Sequence, residues 1–305
     1  MKYYLLTILV GFLASYANAC DVCGCAVNAG GADVVPGVFQ NYIGFRSNIR
    51  SFNSEHLILF EGEKPIQSKE WFHTSELHFR YSPIRRLQLF GFVPFNSVDK
   101  LEEGAKSRTG GIGDARIRLN WVAIDRIEYE RNEYANVFLG TSLKLPTGRN
   151  EFREGESSLF HRNMLPGTGT VDVAFHLDAM MRRGNLGGLW SSTYMVRGTN
   201  EFQYQFGNLT VSQLTGFYKK EFSENTLMLE LGVNFVDMQP DVDLRWNEVQ
   251  IYSQGTMLSP LIRTTFMRNN WLLQATAHRA AWQNMAKGQV SHNYHFEIGL
   301  TYLFN

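Results

Sequence analysis

Polar and apolar residues alternate with a period of two along most of this chain. In the C-terminal stretch "HNYHFEIGLTYLFN", Tyr294, Phe296, Ile298, Leu300, Tyr302 and Phe304 fall on one face and Asn293, His295, Glu297, Gly299 and Thr301 on the other. In "GTVDVAFHLDAMMRR", Val171, Val173, Phe175 and Leu177 oppose Asp172, His176 and Asp178. In "TGGIGDARIRLNWVAI", Ala115, Ile117, Leu119 and Trp121 oppose Asp114, Arg116, Arg118 and Asn120. In "ANVFLGTSLKLPTG", Val137, Leu139, Thr141, Leu143 and Leu145 oppose Asn136, Ser142 and Lys144. A strand places successive side chains on opposite faces, so each segment predicts a β-strand with one apolar and one polar side. Twelve such segments follow one another, at 38–51, 69–82, 85–97, 110–123, 134–146, 169–182, 187–197, 208–222, 226–238, 255–267, 270–282 and 292–304.

The connections alternate in length. "SPIRR", "RGNL", "SEN" and "RNN" are short and follow even-numbered segments, and "DRIEYERNE" is a longer exception. The odd-numbered segments are followed by longer polar stretches, of which "GRNEFREGESSLFHRNMLPGT" is the longest. Strands long enough to cross a bilayer, short turns on one side and long loops on the other predict an all-β fold. The expectation is a single antiparallel transmembrane β-barrel of about 12 strands with periplasmic termini. A soluble β-sandwich also alternates, but its strands are shorter. Trp71, Tyr81, Trp121, Tyr134, Trp190, Trp271, Trp282 and Tyr302 near strand ends match the aromatic girdles of a membrane barrel. Pro94 and Pro260 fall inside predicted strands and call for bulges or shifted boundaries there.

Charge and the N-terminal stretch add two constraints. A net charge of +0 shows no electrostatic footprint for nucleic acid. Residues 1–19 have a basic start, an apolar stretch and Ala17-Asn18-Ala19, the pattern of a secretory signal peptide. The expected organisation is then a signal at 1–19, a Cys/Gly-rich periplasmic segment at 20–37 and a barrel at 38–305. The barrel is placed in the outer membrane, with its lipid bilayer and the barrel-assembly machinery as partners.

The polar faces predict a lumen lined by titratable groups: Arg46, Glu76, His78, Arg80, Asp114, Arg116, Arg118, Lys144, Asp172, His176, Asp178, Lys220, Glu230, His278, His295 and Glu297. Such residues either tie the interior together as ion pairs or face a solute. No G-x-S-x-G, H-E-x-x-H or P-loop motif occurs, and "GGIGDA" opens a strand instead of a helix, so no catalytic reading arises.

All three cysteines, Cys20, Cys23 and Cys25, lie in "CDVCGC" directly after the signal. Three readings stay open. Ala19 precedes Cys20 as lipidation requires, although Ala17 stands where a larger aliphatic residue is usual. Two of the three sulfurs can form a disulfide in an oxidising compartment. Three thiolates also suit a soft ion, Cu(I) or Zn(II).

The blocks around Gly111, Gly113 and Asp114, then Lys144 to Gly148, then Gly167, Gly169 and Asp172 resemble the outer-membrane barrels named for the meta pathway of phenol degradation, a family labelled as transporters. The opening "CDVCGC" resembles exported barrels of this kind from Bacteroidetes-like bacteria. Here Asn305 follows the aromatic residue on which such barrels commonly end. The resemblance implies a membrane barrel and transport. The expected function is therefore a channel for a small solute, with a periplasmic cysteine tail that binds a soft metal ion. The alternative is a non-conducting barrel that tethers such a tail or displays loops.

Overall fold

The structure is a computed structural model that describes residues 35–56, 65–128 and 133–304; Cys20, Cys23, Cys25 and the signal lie outside the described residues. The strands are β1 (Asn41–His56), β2 (Ile66–Ile84), β3 (Leu87–Glu102), β4 (Ala105–Ile112), β5 (Arg116–Glu128), β6 (Glu133–Lys144), β7 (Asp172–Arg183), β8 (Leu186–Val196), β9 (Tyr204–Gln205), β10 (Leu209–Phe222), β11 (Asn225–Met238), β12 (Asp241–Asp243), β13 (Glu248–Gln250), β14 (Gly255–Arg268), β15 (Trp271–His278), β16 (Trp282–Met285) and β17 (Val290–Phe304). Twelve antiparallel staves close into a barrel, with β4 and β5 forming one stave, β15 and β16 another, and β17 pairing with β1. Short β9, β12 and β13 form a separate sheet. Three 3₁₀ turns, Glu156–Ser158, Arg162–Met164 and Ala286–Gly288, sit in connections.

Alternation decides which way each side chain points. Phe45, Leu77, Val93, Leu119, Phe175, Leu214 and Ile298 all project outward and stay exposed, whereas Arg80, Arg118, Asp178 and Glu230 project inward and are buried. Leu231, 57% exposed, adjoins Glu230, which is 0% exposed. A protein that displays its apolar residues and hides its charged ones is stable only where the surroundings are apolar, so the staves span a bilayer. Closure matters for the same reason, because pairing of β1 with β17 leaves the sheet no free edge strand in hydrocarbon.

Several expectations change in detail. The stretch after the third segment is a hairpin and not a long loop. Leu101 pairs with Lys106 across Glu103 and Gly104, whose φ angles of 49° and 87° make the left-handed two-residue turn that strand twist favours. Lys220 points outward and Lys219 inward, because Phe217 anchors the inner face of β10. Tyr134 faces the interior and is not a girdle residue, since it shares its face with Asn136 and Phe138. Asn293 is the unpaired residue of a bulge between the Ser51–Tyr294 and Phe52–His292 pairs, so His292 takes the inward position instead.

Both prolines sit in register, with Pro94 opposite Glu76 and Pro260 opposite Val233. Each ring turns its missing donor toward a break in the next stave. The Pro94 carbonyl accepts the Gly113 N–H at 2.9 Å, so that side of β3 faces the gap between β4 and β5. The Leu258 carbonyl accepts the Ala281 N–H at 2.9 Å, so the same side of β14 at Pro260 faces the gap between β15 and β16. Proline is tolerated in a closed barrel where the neighbouring ladder is already interrupted.

Inside, apolar clusters occupy both ends. Phe52, Phe72, Val98, Leu209, Val236 and Met257 pack together toward the long loops. Toward the short turns, Phe138, Leu189, Phe217 and Met228 form one cluster, and Tyr42, Phe90, Phe92, Leu272 and Leu303 another. Val35 packs against both turn-end clusters and Val38 is part of the second, so the chain enters the first strand from inside the turn-end mouth. The Arg80 guanidinium holds it there by donating to the carbonyls of Val38, at 2.9 Å, and Gln40.

Candidate functional site

Between the apolar ends lies a polar layer with two small cavities. The first, about 60 Å³, is lined among others by Arg46, Glu76, Arg263, His278, His295 and Glu297. The second, about 70 Å³, is lined among others by Glu76, Asn96, Asp114, Arg116, Lys144 and Arg197. Glu76 belongs to both. It accepts from Arg46 Nε at 2.7 Å and lies 2.5 Å from Arg46 Nη2, so a paired carboxylate and guanidinium stand at the partition. Arg116 and Arg46 lie over the face of Phe92, with guanidinium carbons 4.0 Å and 5.7 Å from the ring centroid. Each cavity holds no more than a few water molecules.

The second cavity is bounded by a clasp that accounts for the glycine-rich blocks of the sequence. At the break between β4 and β5, the Asp114 carboxylate accepts the N–H groups of Gly148 at 3.0 Å and Thr168 at 2.9 Å, and the Thr168 hydroxyl at 2.8 Å. Thr147 Oγ1 accepts from Ala115 N–H and donates to the Gly113 carbonyl. Three chain segments therefore meet at backbone distance. A Cβ on Gly148 would stand 2.8 Å from Gly113 C and from Gly167 Cα, and one on Gly167 would stand 2.6 Å from Gly148 C. Lys144 Nζ completes the arrangement, 3.2 Å from Asp114 and 2.7 Å from Asp172.

The remaining expected residues divide by position. Arg118 pairs with Asp178 and donates to Asn120 at 2.7 Å, and Ser191 donates to Asp178 at 2.5 Å. His176 bridges Ser142 and Thr193 at 2.8 Å and 2.9 Å. Glu230 pairs with Arg263 at 3.3 Å. The Arg118–Asp178 pair ties β5 to β7 across β6, His176 and Glu230 tie neighbouring staves, Arg80 holds the segment before β1, and of all these only Arg263 lines either cavity. His78 lines a third cavity of about 30 Å³ at the turn end, next to Val35 and Tyr42.

Alternation alone would have found Arg263, which shares the inner face of β14 with Ser259 and Thr265 opposite Ile262 and Phe266. It would not have found His292, whose inward orientation depends on the bulge at Asn293. The His278 and His295 rings lie 4.2 Å apart and those of His278 and His292 5.9 Å apart, from two staves. The described residues contain no His/Cys/Asp/Glu group arranged to hold a metal ion.

No family model and no curated protein matches this chain. Solved structures do. An outer-membrane channel of Pseudomonas putida F1 superposes with a TM-score of 0.64 at 14% identity, over 89% of this chain and 100% of its own. The beta domain of the Bordetella autotransporter BrkA superposes with a TM-score of 0.51 at 10% identity, over 87% of this chain and 100% of its own. At such identities the likeness is one of fold: a closed barrel of the outer-membrane type.

Proposed function

We propose that the chain is an outer-membrane channel that passes a small solute, with its turn end and both barrel termini facing the periplasm. The observation that carries this reading is the polar layer at mid-barrel, where two cavities of mixed charge meet at the Arg46–Glu76 pair. A pair that only braces the wall, such as Arg118–Asp178, lines neither cavity, whereas Glu76 of the Arg46–Glu76 pair lines both. Twelve staves enclose a bore between the filled and the freely open sizes, which suits a selective pore. The described Pseudomonas protein is itself a channel, in keeping with this reading. No catalytic role is assigned to the lumen residues.

A second reading, a non-conducting barrel that tethers a tail or displays loops, is favoured by the apolar clusters at both ends and by Val35 and Val38 in the turn-end mouth. Single-channel recording in planar bilayers decides. Discrete conductance steps that enlarge when residues 20–38 are deleted support the channel, and silence from both forms supports the tether.

For the cysteines we propose, on the sequence alone, a periplasmic tail in which Cys20, Cys23 and Cys25 bind Cu(I) or Zn(II). Changing all three to Ser is expected to abolish tight Cu(I) binding and leave the barrel folded. A diacylglyceryl group on Cys20 would replace this reading with a lipid anchor.

A further inference from the structure

The barrel wall is broken twice, and the two breaks are treated differently. The break between β4 and β5 is closed by the Asp114 clasp described above. At the break between β15 and β16, only the β14 side is tied, by Ala281 donating to Leu258. Toward β17, pairing stops at His278–His295 and resumes at Met285–Val290. The span between is crossed by the Gln283 side chain, which accepts from His292 N–H at 2.7 Å and donates to the His292 carbonyl at 3.4 Å. No such gap separates any other two full staves among the described residues.

The gap has a cavity on each face. On the lumen side is the 60 Å³ cavity, and on the lipid side a groove of about 710 Å³ lined by Pro260, Ile262, Ala277, Tyr294 and Phe296 with Arg279 and Asn293 at its rim. Leu261 and His278 line both. There the partition between lumen and lipid lacks a continuous backbone ladder. Behind the partition, His278 Nδ1 and both ring nitrogens of His292 and His295 are buried without a hydrogen-bond partner among the described residues. Each neutral imidazole offers one donor and one acceptor, so a polar group arriving there would find both.

We propose that this break is a lateral portal through which a small amphipathic solute passes between the lumen and the bilayer leaflet at the loop end. The polar group of the solute binds the imidazoles of His278, His292 and His295, and its apolar body lies in the groove beneath Tyr294 and Phe296. The chemistry of the two faces selects this occupant: a purely polar solute gains nothing from the groove, and a purely apolar one leaves the imidazoles unsatisfied. The proposal rests on the channel reading only in taking the lumen as one end of the route.

The test uses the full-length protein in outer membranes, with N-phenyl-1-naphthylamine as probe, an uncharged amphipath that fluoresces on reaching the bilayer core. Ala277→Trp fills the groove from the lipid side without touching the lumen, and Tyr294→Ala widens it. Folding of both variants is checked by the mobility difference between heated and unheated samples, and each is also recorded in planar bilayers. The expected result is probe entry faster than in cells lacking the barrel, lost in Ala277→Trp and increased in Tyr294→Ala, with ion conductance the same in all three. Equal probe entry in wild type and both variants overturns the portal, and an unchanged conductance in the same recordings leaves the axial channel standing. Absent conductance with groove-dependent probe entry overturns the axial channel and keeps the portal.

Discussion

Individual side chains in this lumen do two different jobs, and their neighbours show which. Arg118 and Asp178 are fully buried, face each other across β6, and have their remaining polar atoms engaged by Asn120 and Ser191. Removing one partner leaves a bare charge. Arg118→Met is expected to destabilise the barrel by about 3–5 kcal/mol, and Arg118→Met combined with Asp178→Leu by much less, both read from urea unfolding in detergent. Glycines show the same contrast. Gly148→Ala would press a methyl group into the backbone of Gly113 and Gly167, whereas Gly188→Ala meets nothing nearer than the Thr215 carbonyl at 3.6 Å. We expect Gly148→Ala to lower the melting temperature and to free the β4–β5 break for hydrogen exchange, and Gly188→Ala to do neither. The glycine blocks by which the chain resembles a known family thus have a structural explanation: three backbones must touch around one carboxylate.

Whole elements were legible where a period of two ran unbroken and illegible where the chain departs from it. β7, β8, β10, β11 and β14 begin and end within three residues of the expected positions, because inward and outward residues alternate along them without a bulge. The hairpin of β3 and β4 was not visible, since beyond the bilayer both faces of its strands are polar and the alternation disappears. The same limit hid β9, β12 and β13. At the site, alternation assigned a face to each charged residue but carried no information on partners across staves, so bracing residues such as His176 and cavity residues such as Glu297 looked alike.

The loops also differ in their response to acid. Burial pushes the Glu156 carboxyl up, but hydrogen bonds from Arg149, the Arg153 N–H and Thr109, together with the Arg149 charge, outweigh it and hold the group below the usual range. Burial of Asp241 prevails over donation from the Gly207 N–H and Tyr204 hydroxyl, so this carboxyl is raised. The signs are opposite. Glu156 stabilises its loop above the ordinary carboxylate pKa, and that contribution disappears as pH falls through the lowered value. Asp241 stabilises its sheet below the ordinary value, and that contribution disappears as pH rises through the raised one. Hydrogen exchange, corrected for intrinsic rates, is expected to show β12 better protected on mild acidification, and residues 149–156 less protected only in strong acid.

The molecule as a whole is held in place by its apolar exterior. Leu231 lies midway along β11, where the cost of a cation in the bilayer is greatest. Leu231→Arg is expected to cost about 2–4 kcal/mol, whereas Trp246→Arg, in the exposed turn between β12 and β13, is expected to cost almost nothing. Comparative unfolding in lipid vesicles checks the pair, and equal costs would mean that the lipid belt lies elsewhere.

Closure has a further consequence, for the order of events during biogenesis. Asn41 pairs with Phe304, so the first stave finds one of its two neighbours only when the last has been made. Among the described residues no strand pairing spans a longer stretch of chain, and the entropy of bringing such distant segments together is lost before any pairing compensates for it. Until then two unpaired edges persist, which rules out insertion stave by stave into bare hydrocarbon. The seam between β1 and β17 is where assembly finishes, and a change that weakens only that seam should slow maturation more than it lowers the stability of the finished barrel.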